Sequence, residues 1–311
     1  MNFPVFDLHC DTALELTYPY NGKTENLVVN EGQIDLTRGR KLPGYAQLFA
    51  IYTSPNMRKG VAPTKIFEDT LRNFLHVMEE HSDLVAQART GAEAARITGE
   101  GKVAAVLSLE GPAGIDFDPG RLPELAELGF RMTTLTWNEQ NPLAGSHKTG
   151  GGLTEKGREF VRTAQKHGIR IDVSHLSEQA FWNIMDITEG PVSASHSNSR
   201  MVWGVTRNLT DEQFRAIMET GGVAGLNEYT DFLGKQPVTL DTVCDHALHW
   251  LDLGGEKHIA LGGDLDGCEE LPQGFTGVES YPALAETMLR RGIPEDTVRD
   301  IFWNNAARLL D

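Results

Sequence analysis

The sequence predicts an α/β fold, a (β/α)8 TIM-type barrel with a metal site at the C-terminal ends of its strands. Eight short apolar runs alternate with helical patterns from one end of the chain to the other. Six side chains able to bind metal ions or work beside them stand just past such runs: His9, Asp11, Glu110, His175, His196 and Asp264. If the runs are strands of a parallel barrel, all six converge at one rim, where barrel enzymes build their sites.

The strand candidates are residues 4–8, 46–52, 103–109, 130–136, 169–174, 191–195, 222–226 and 258–262. Between them, residues 64–89, 122–128, 154–167, 178–186, 211–219 and 240–253 read as helices. In LTDEQF, Thr210 and Gln213 form a capping box, and Leu209 and Phe214 a hydrophobic staple. Gly168 and Gly221 stand where glycine stops the preceding helix. Repeated strand-then-helix units favour the barrel, although periodicity alone also fits an open doubly wound sheet. Residues 19–44, with a PYNG turn, are too long for an ordinary loop and read as an insertion over the barrel mouth. Residues 281–311 read as one or two closing helices, the second opening with Pro294 at its first helical position. With no repeat, low-complexity tract or linker, residues 1–311 are expected to form a single domain.

A net charge of −16 over 311 residues argues against nucleic acid and against an anionic membrane surface. The opening MNFPVFDLHCD has no signal-peptide pattern, no apolar run is long enough to span a bilayer, and no lipid-anchor signal is present. Cys10, Cys244 and Cys268 are odd in number and lack CxxC spacing, which fits a reducing compartment and predicts a cytoplasmic protein.

His9 and Asp11 are two residues apart, and in an extended segment such residues point to the same side. Taken alone, Asp11 could equally cap a turn. Glu110, in SLEGP, ends a run that should be buried, and a buried carboxylate needs a cationic partner: a salt bridge or a metal. His175 in IDVSH and His196 in ASHS repeat one design, an apolar run, a small residue and a histidine. A single histidine there is more often a hydrogen-bonded core residue; two at consecutive strand ends, with Glu110 and the His9–Asp11 pair, favour metal. Asp264 in GGDLDG lies nearer its strand end than Asp266, which makes it the preferred proton carrier. Two divalent ions would outweigh the charges of Asp11, Glu110 and a bridging hydroxide, leaving a site that attracts anions and acidifies bound water.

In combination HxD, LEG, LTxxxxN, IDVSH, SHS, RN and GGDxDG resemble the membrane (renal) dipeptidase family of dinuclear zinc peptidases, a barrel branch related to the amidohydrolases. The resemblance runs from about His9 to Asp264. It implies two Zn2+ ions: His9 and Asp11 on one, His175 and His196 on the other, Glu110 and a hydroxide bridging both. It implies small dipeptides as substrates, cleaved by that hydroxide, and a homodimeric assembly. Arg207, in VTRNLT, would hold the substrate carboxylate, and Asp264 would carry the proton from water to the leaving amine. Read without the resemblance, Arg207 could be a surface residue paired with Asp211 or Glu212.

One position departs. Many members carry histidine after LT, where this chain has Trp137 in TLTWNEQN. Indole donates one hydrogen bond but cannot carry a positive charge. Either Asn138 or Asn141 supplies a donor to the substrate, or zinc alone stabilises the oxyanion, or the scissile bond is another amide, a lactam or a lactone; Trp137 would then be a pocket wall. A non-catalytic binding barrel is disfavoured, because every ligand position and Asp264 are filled.

Overall fold

Every apolar run expected to be a strand forms one. The computed structural model describes residues 3–20, 23–24, 26–55 and 57–311. Its strands are β1 (Val5–Cys10), β2 (Tyr45–Tyr52), β3 (Val85–Gln87), β4 (Val103–Glu110), β5 (Phe130–Thr134), β6 (Arg170–Asp172), β7 (Val192–Ser193), β8 (Ala224–Leu226) and β9 (Ile259–Leu261). All pairings between them are parallel, in the order β7-β6-β5-β4-β2-β1-β9-β8, with β3 beside the lower half of β4. An isolated bridge from Ala194 to Ala224 brings β7 against β8, so the eight strands other than β3 make a nearly closed barrel. The open doubly wound sheet is thereby excluded.

Side-chain alternation sorts the wall. Phe6, Leu8, Ala46, Leu48, Ala104, Val106, Met132 and Ala260 face one cluster inside it, while Tyr45, Phe49, Val103, Ala105 and Leu107 belong to the core shared with the surrounding helices. The inner cluster is closed from below by the helix Asn305–Leu310, whose Ala306, Leu309 and Leu310 join it. That helix is also tied to strand beginnings: the Leu309 carbonyl accepts from Arg170 Nε at 3.0 Å, and Arg308 donates to the Gly221 carbonyl at 2.9 Å.

Two local expectations need correcting. Residues 64–89 are not one helix. The helix Pro63–Glu80 ends where its buried stripe ends, at Met78, and the chain then contributes β3, whose pairing with β4 outweighs helical propensity. A further helix, Gly91–Gly99, follows, with the Thr90 side chain accepting from the Glu93 amide. Pro294 is not the first helical residue: its ψ of 147° is extended, and Glu295 opens the helix.

The capping box at Thr210 and Gln213 forms, and Gly168 and Gly221 take positive φ past their helices. Of the PYNG turn, Asn21 and Gly22 lie outside the described residues. Within the described part of the insertion, Gln33 reaches the loop after β9: its amide donates to Asp266 Oδ1 at 2.7 Å and its Nε2 to the Cys268 carbonyl at 2.9 Å.

Candidate metal centre

β4 delivers Glu110 by simple alternation: Ala104, Val106, Ser108 and Glu110 share the inward face, and Glu110 is the last strand residue. β1 does not work that way. Its register against β2 slips between Asp7 and Cys10, where three steps along β1 match two along β2. This bulge lets His9 turn to the mouth after Asp7 has faced outward to Tyr281. Asp11 lies beyond the strand, at the N-cap of the helix Thr12–Thr17 with φ −102° and ψ 10°. The two converge through a bulge and a helix start, not through the extended geometry expected for residues two apart.

The carboxylate of Glu110 stands between two groups. One oxygen is 3.2 Å from His9 Nε2; the other is 3.1 Å from His175 Nε2 and 3.8 Å from His196 Nε2. His9 Nε2 is in turn 3.8 Å from both Asp11 Oδ2 and Asp264 Oδ1. His9 and His196 stack at 3.8 Å between ring centres. His175 and Asp264 hold left-handed backbone, φ 69° and 58°, a costly conformation for non-glycine residues that concentrates at functional sites.

Outer partners set the imidazole protons. Asp172 accepts the Ser195 hydroxyl proton, and Ser195 Oγ lies 2.6 Å from His196 Nδ1. With its own proton given to Asp172, Ser195 accepts from His196 Nδ1, leaving Nε2 bare. Asn138 Oδ1, 3.2 Å from His175 Nδ1, does the same for His175. The two bare Nε2 atoms are 2.9 Å apart, and burial holds both rings neutral by pushing their pKa values well below 6.5. Two lone pairs facing each other beside a carboxylate make a favourable arrangement only around a cation. His9 Nε2 and Asp11 Oδ1 are buried with no hydrogen-bond partner among the described residues. Two groups of donors lie close enough to share an ion, His9 with Glu110 and His196, and His9 with Asp11 and Asp264, and this nitrogen and oxygen chemistry fits a borderline divalent metal.

Burial raises the Glu110 carboxyl to about 7, with His9 opposing and Asp11 and Asp264 adding repulsion. Burial likewise lifts Asp264 to about 6 against the pull of His9. Asn227, which sequence reasoning missed, donates to Asp264 Oδ2 at 3.0 Å. Asp266 is spent elsewhere, on the Thr12 hydroxyl and the Gln33 amide, each at 2.7 Å.

Arg207 is not a surface residue paired with Asp211 or Glu212; it is buried and bonded to Ser197 Oγ at 2.6 Å. Its Nε and Nη2 have no hydrogen-bond partner among the described residues, its guanidinium carbon stands 5.5 Å from the centre of the Phe232 ring, and it lies close enough to Asp264, Asp172 and Glu110 to feel their charge. Trp137 stands beside Tyr52 and His175, with ring centres 5.4 and 6.4 Å away, as an aromatic wall of the mouth. Asn141 builds its own loop: Nδ2 donates to the Leu135 carbonyl and Oδ1 accepts from the Leu143 and Ala144 amides. His147, also missed, lies 2.8 Å through Nε2 from Asn138 Oδ1, and its pKa is pushed down to about 4 by burial and then by Arg207.

A sequence model of the membrane dipeptidase family, peptidase family M19, matches residues 1–311. An uncharacterized dipeptidase of Schizosaccharomyces pombe is 27% identical, over 99% of this chain and 80% of its own. The dipeptidase verJ of Clonostachys rogersoniana is 29% identical over 76% of this chain and 62% of its own. Among solved structures, a metallopeptidase from Rhodobacter sphaeroides bound to a phosphinate mimic of the dipeptide L-Ala-D-Ala superposes with TM-score 0.90 at 29% identity, covering 100% of this chain and 99% of that one. A dipeptidase of metallopeptidase family M19 superposes with TM-score 0.90 at 30% identity, covering 100% and 98%. With the fold, the buried donor cluster and a family match over the whole length in agreement, the chain belongs to the membrane dipeptidase family of metallopeptidases, peptidase family M19.

Proposed function

We propose that this protein is a zinc-dependent dipeptidase that holds two ions and cleaves the amide bond of small dipeptides. The observation that carries the proposal is the division of Glu110, one oxygen toward His9 and the other toward His175 and His196. A carboxylate so divided suits a bridge, with His9 and Asp11 on one ion and His175 and His196 on the second. When bound, such ions acidify water and polarise a carbonyl.

The chain's own residues supply the rest. Arg207 takes the substrate's C-terminal carboxylate with Nε and Nη2 and remains anchored to Ser197 by Nη1, which restricts substrates to short peptides. Asp264, held by Asn227 and raised to about 6, suits a group that must take a proton from water and give it to the leaving amine near neutral pH. Trp137 walls the substrate side. The dipeptide mimic bound by the Rhodobacter sphaeroides relative supports a D-residue at the C-terminal position here as well.

Because Trp137 replaces the family histidine, another amide, a lactam or a lactone is the second reading. The whole chain would act as one hydrolase domain in the cytoplasm, as a homodimer, with residues 19–44 over the mouth. The test is metal content of the purified protein together with a panel of L-Xaa–L/D-Xaa dipeptides, N-acyl amino acids and lactones. About two zinc ions per chain and chelator-sensitive dipeptide cleavage are expected. Bound metal with cleavage confined to the other substrates would replace the dipeptidase reading with the second.

A further inference from the structure

The loop after β5 meets His175 along a line of contacts. The His147 amide donates to the His175 carbonyl at 2.8 Å, Ser146 bridges Leu176, and the Ser177 amide donates to the Gly145 carbonyl at 3.0 Å. These bonds hold His175 in its left-handed backbone. At the side-chain level one oxygen joins two rings: Asn138 Oδ1 lies 2.8 Å from His147 Nε2 and 3.2 Å from His175 Nδ1. An amide oxygen only accepts, so both nitrogens facing it carry hydrogen. His147 Nδ1 is then free of hydrogen and accepts from the Thr206 hydroxyl, 3.2 Å away. Thr206 is the neighbour of Arg207.

We propose that Asn138 and His147 are positioning residues for the metal centre: Asn138 fixes His175 with its proton on Nδ1 and its bare Nε2 toward Glu110, and His147, braced by Thr206, fixes Asn138. Although Trp137 stands where the family histidine would, an imidazole still reaches the mouth from ten residues further on. It serves a different end, because both of its nitrogens are occupied and neither is left for substrate. Asn138 Oδ1 is accordingly committed to the two imidazoles, which leaves only the Nδ2 hydrogens of this side chain to donate elsewhere. The proposal rests on His175 being an ion ligand, as in the reading above.

The test uses the full chain stripped of metal and titrated with Co2+, read by calorimetry and by the visible absorption of the bound ion. Wild type is expected to take up two ions in distinguishable steps. Asn138→Leu, similar in size but without an acceptor, should weaken one step about 10- to 100-fold and shift its absorption bands. Asn138→Asp, which keeps the acceptor, should bind at least as tightly as wild type. His147→Leu should give a smaller loss, and His147→Gln, whose amide can still donate to Asn138, should recover much of it. Wild-type affinity and spectrum in Asn138→Leu, or equal losses in the Leu and Asp variants, would overturn the proposal. If Asn138→Leu does not fold, the comparison of Asn138→Asp with His147→Leu and His147→Gln decides: unchanged binding in both His147 variants would overturn it. A wild-type chain that takes up no ion would instead overturn the metal reading itself.

Discussion

At the scale of single residues, the mouth separates groups that would hold ions from groups that would handle substrate. Arg207 is buried, anchored by one nitrogen, with two others that have no hydrogen-bond partner among the described residues. Arg207→Met should therefore raise KM for dipeptides roughly 10- to 100-fold, the loss of a charged hydrogen bond worth about 1.5–3 kcal/mol. Dipeptide amides, which lack the carboxylate, should lose little; equal losses on both substrates would remove Arg207 from that role. Asp264→Asn should lower kcat by about 100-fold or more while metal content stays at the wild-type level. Loss of metal in that variant would make Asp264 a ligand. The donors are legible in the sequence because each closes or follows an apolar run, so that strand direction points them to one rim, although His9 and Asp11 reach it only through the β1 bulge and a helix start. Asn227, Ser195 and His147 are not legible, because a lone polar residue in a loop carries no sign of the distant partner it will meet. Only the resemblance points to Arg207, because burial is not readable from a polar stretch.

At the scale of elements, the barrel wall narrows where small residues let backbones approach. A Cβ on Gly225 or on Gly262 would collide with the Ser195 carbonyl oxygen, next to His196. Gly225→Ala and Gly262→Ala should each destabilise the fold by about 1–3 kcal/mol and weaken metal binding, checked by urea unfolding and ion titration. A second element-level clamp is the helix Leu240–Asp252, from which His246 Nδ1 accepts the Ser199 amide and Nε2 donates to the Leu233 carbonyl. Burial pushes this imidazole from 6.5 down to about 4. Since the folded pKa is the lower one, the neutral ring stabilises the fold fully above pH about 6.5, and that contribution is lost as pH falls toward about 4, roughly 3 kcal/mol in all. Urea unfolding of chelator-treated protein between those pH values should show this slope, and His246→Gln should remove one proton's share of it. Element order was readable from the alternation of apolar runs and helical patterns. The β1 bulge and β3 were not, since a register slip depends on the neighbouring strand and a three-residue strand is too short to show a period.

At the scale of the whole molecule, stability should depend on what the mouth holds and not on covalent links. Cys10, Cys244 and Cys268 are all free and buried, so a reducing agent should leave Tm unchanged. Chelation should lower it by several degrees, because a ligand at about 100 times its Kd stabilises the native state by about 2.7 kcal/mol; equal Tm with and without chelator would count against a metal bound in the native state. Among the described residues no helix is long and apolar enough to cross a membrane. The barrel itself imposes an order of assembly. β1 pairs with β9, and the floor beneath both is the helix Asn305–Leu310. During synthesis on a ribosome β1 must therefore wait for β9 to emerge, and its inner face for the helix Asn305–Leu310. Until that helix emerges Phe6, Leu8, Leu48 and Val106 lack the surface that covers them, so the growing chain carries exposed apolar segments of the kind that favour aggregation.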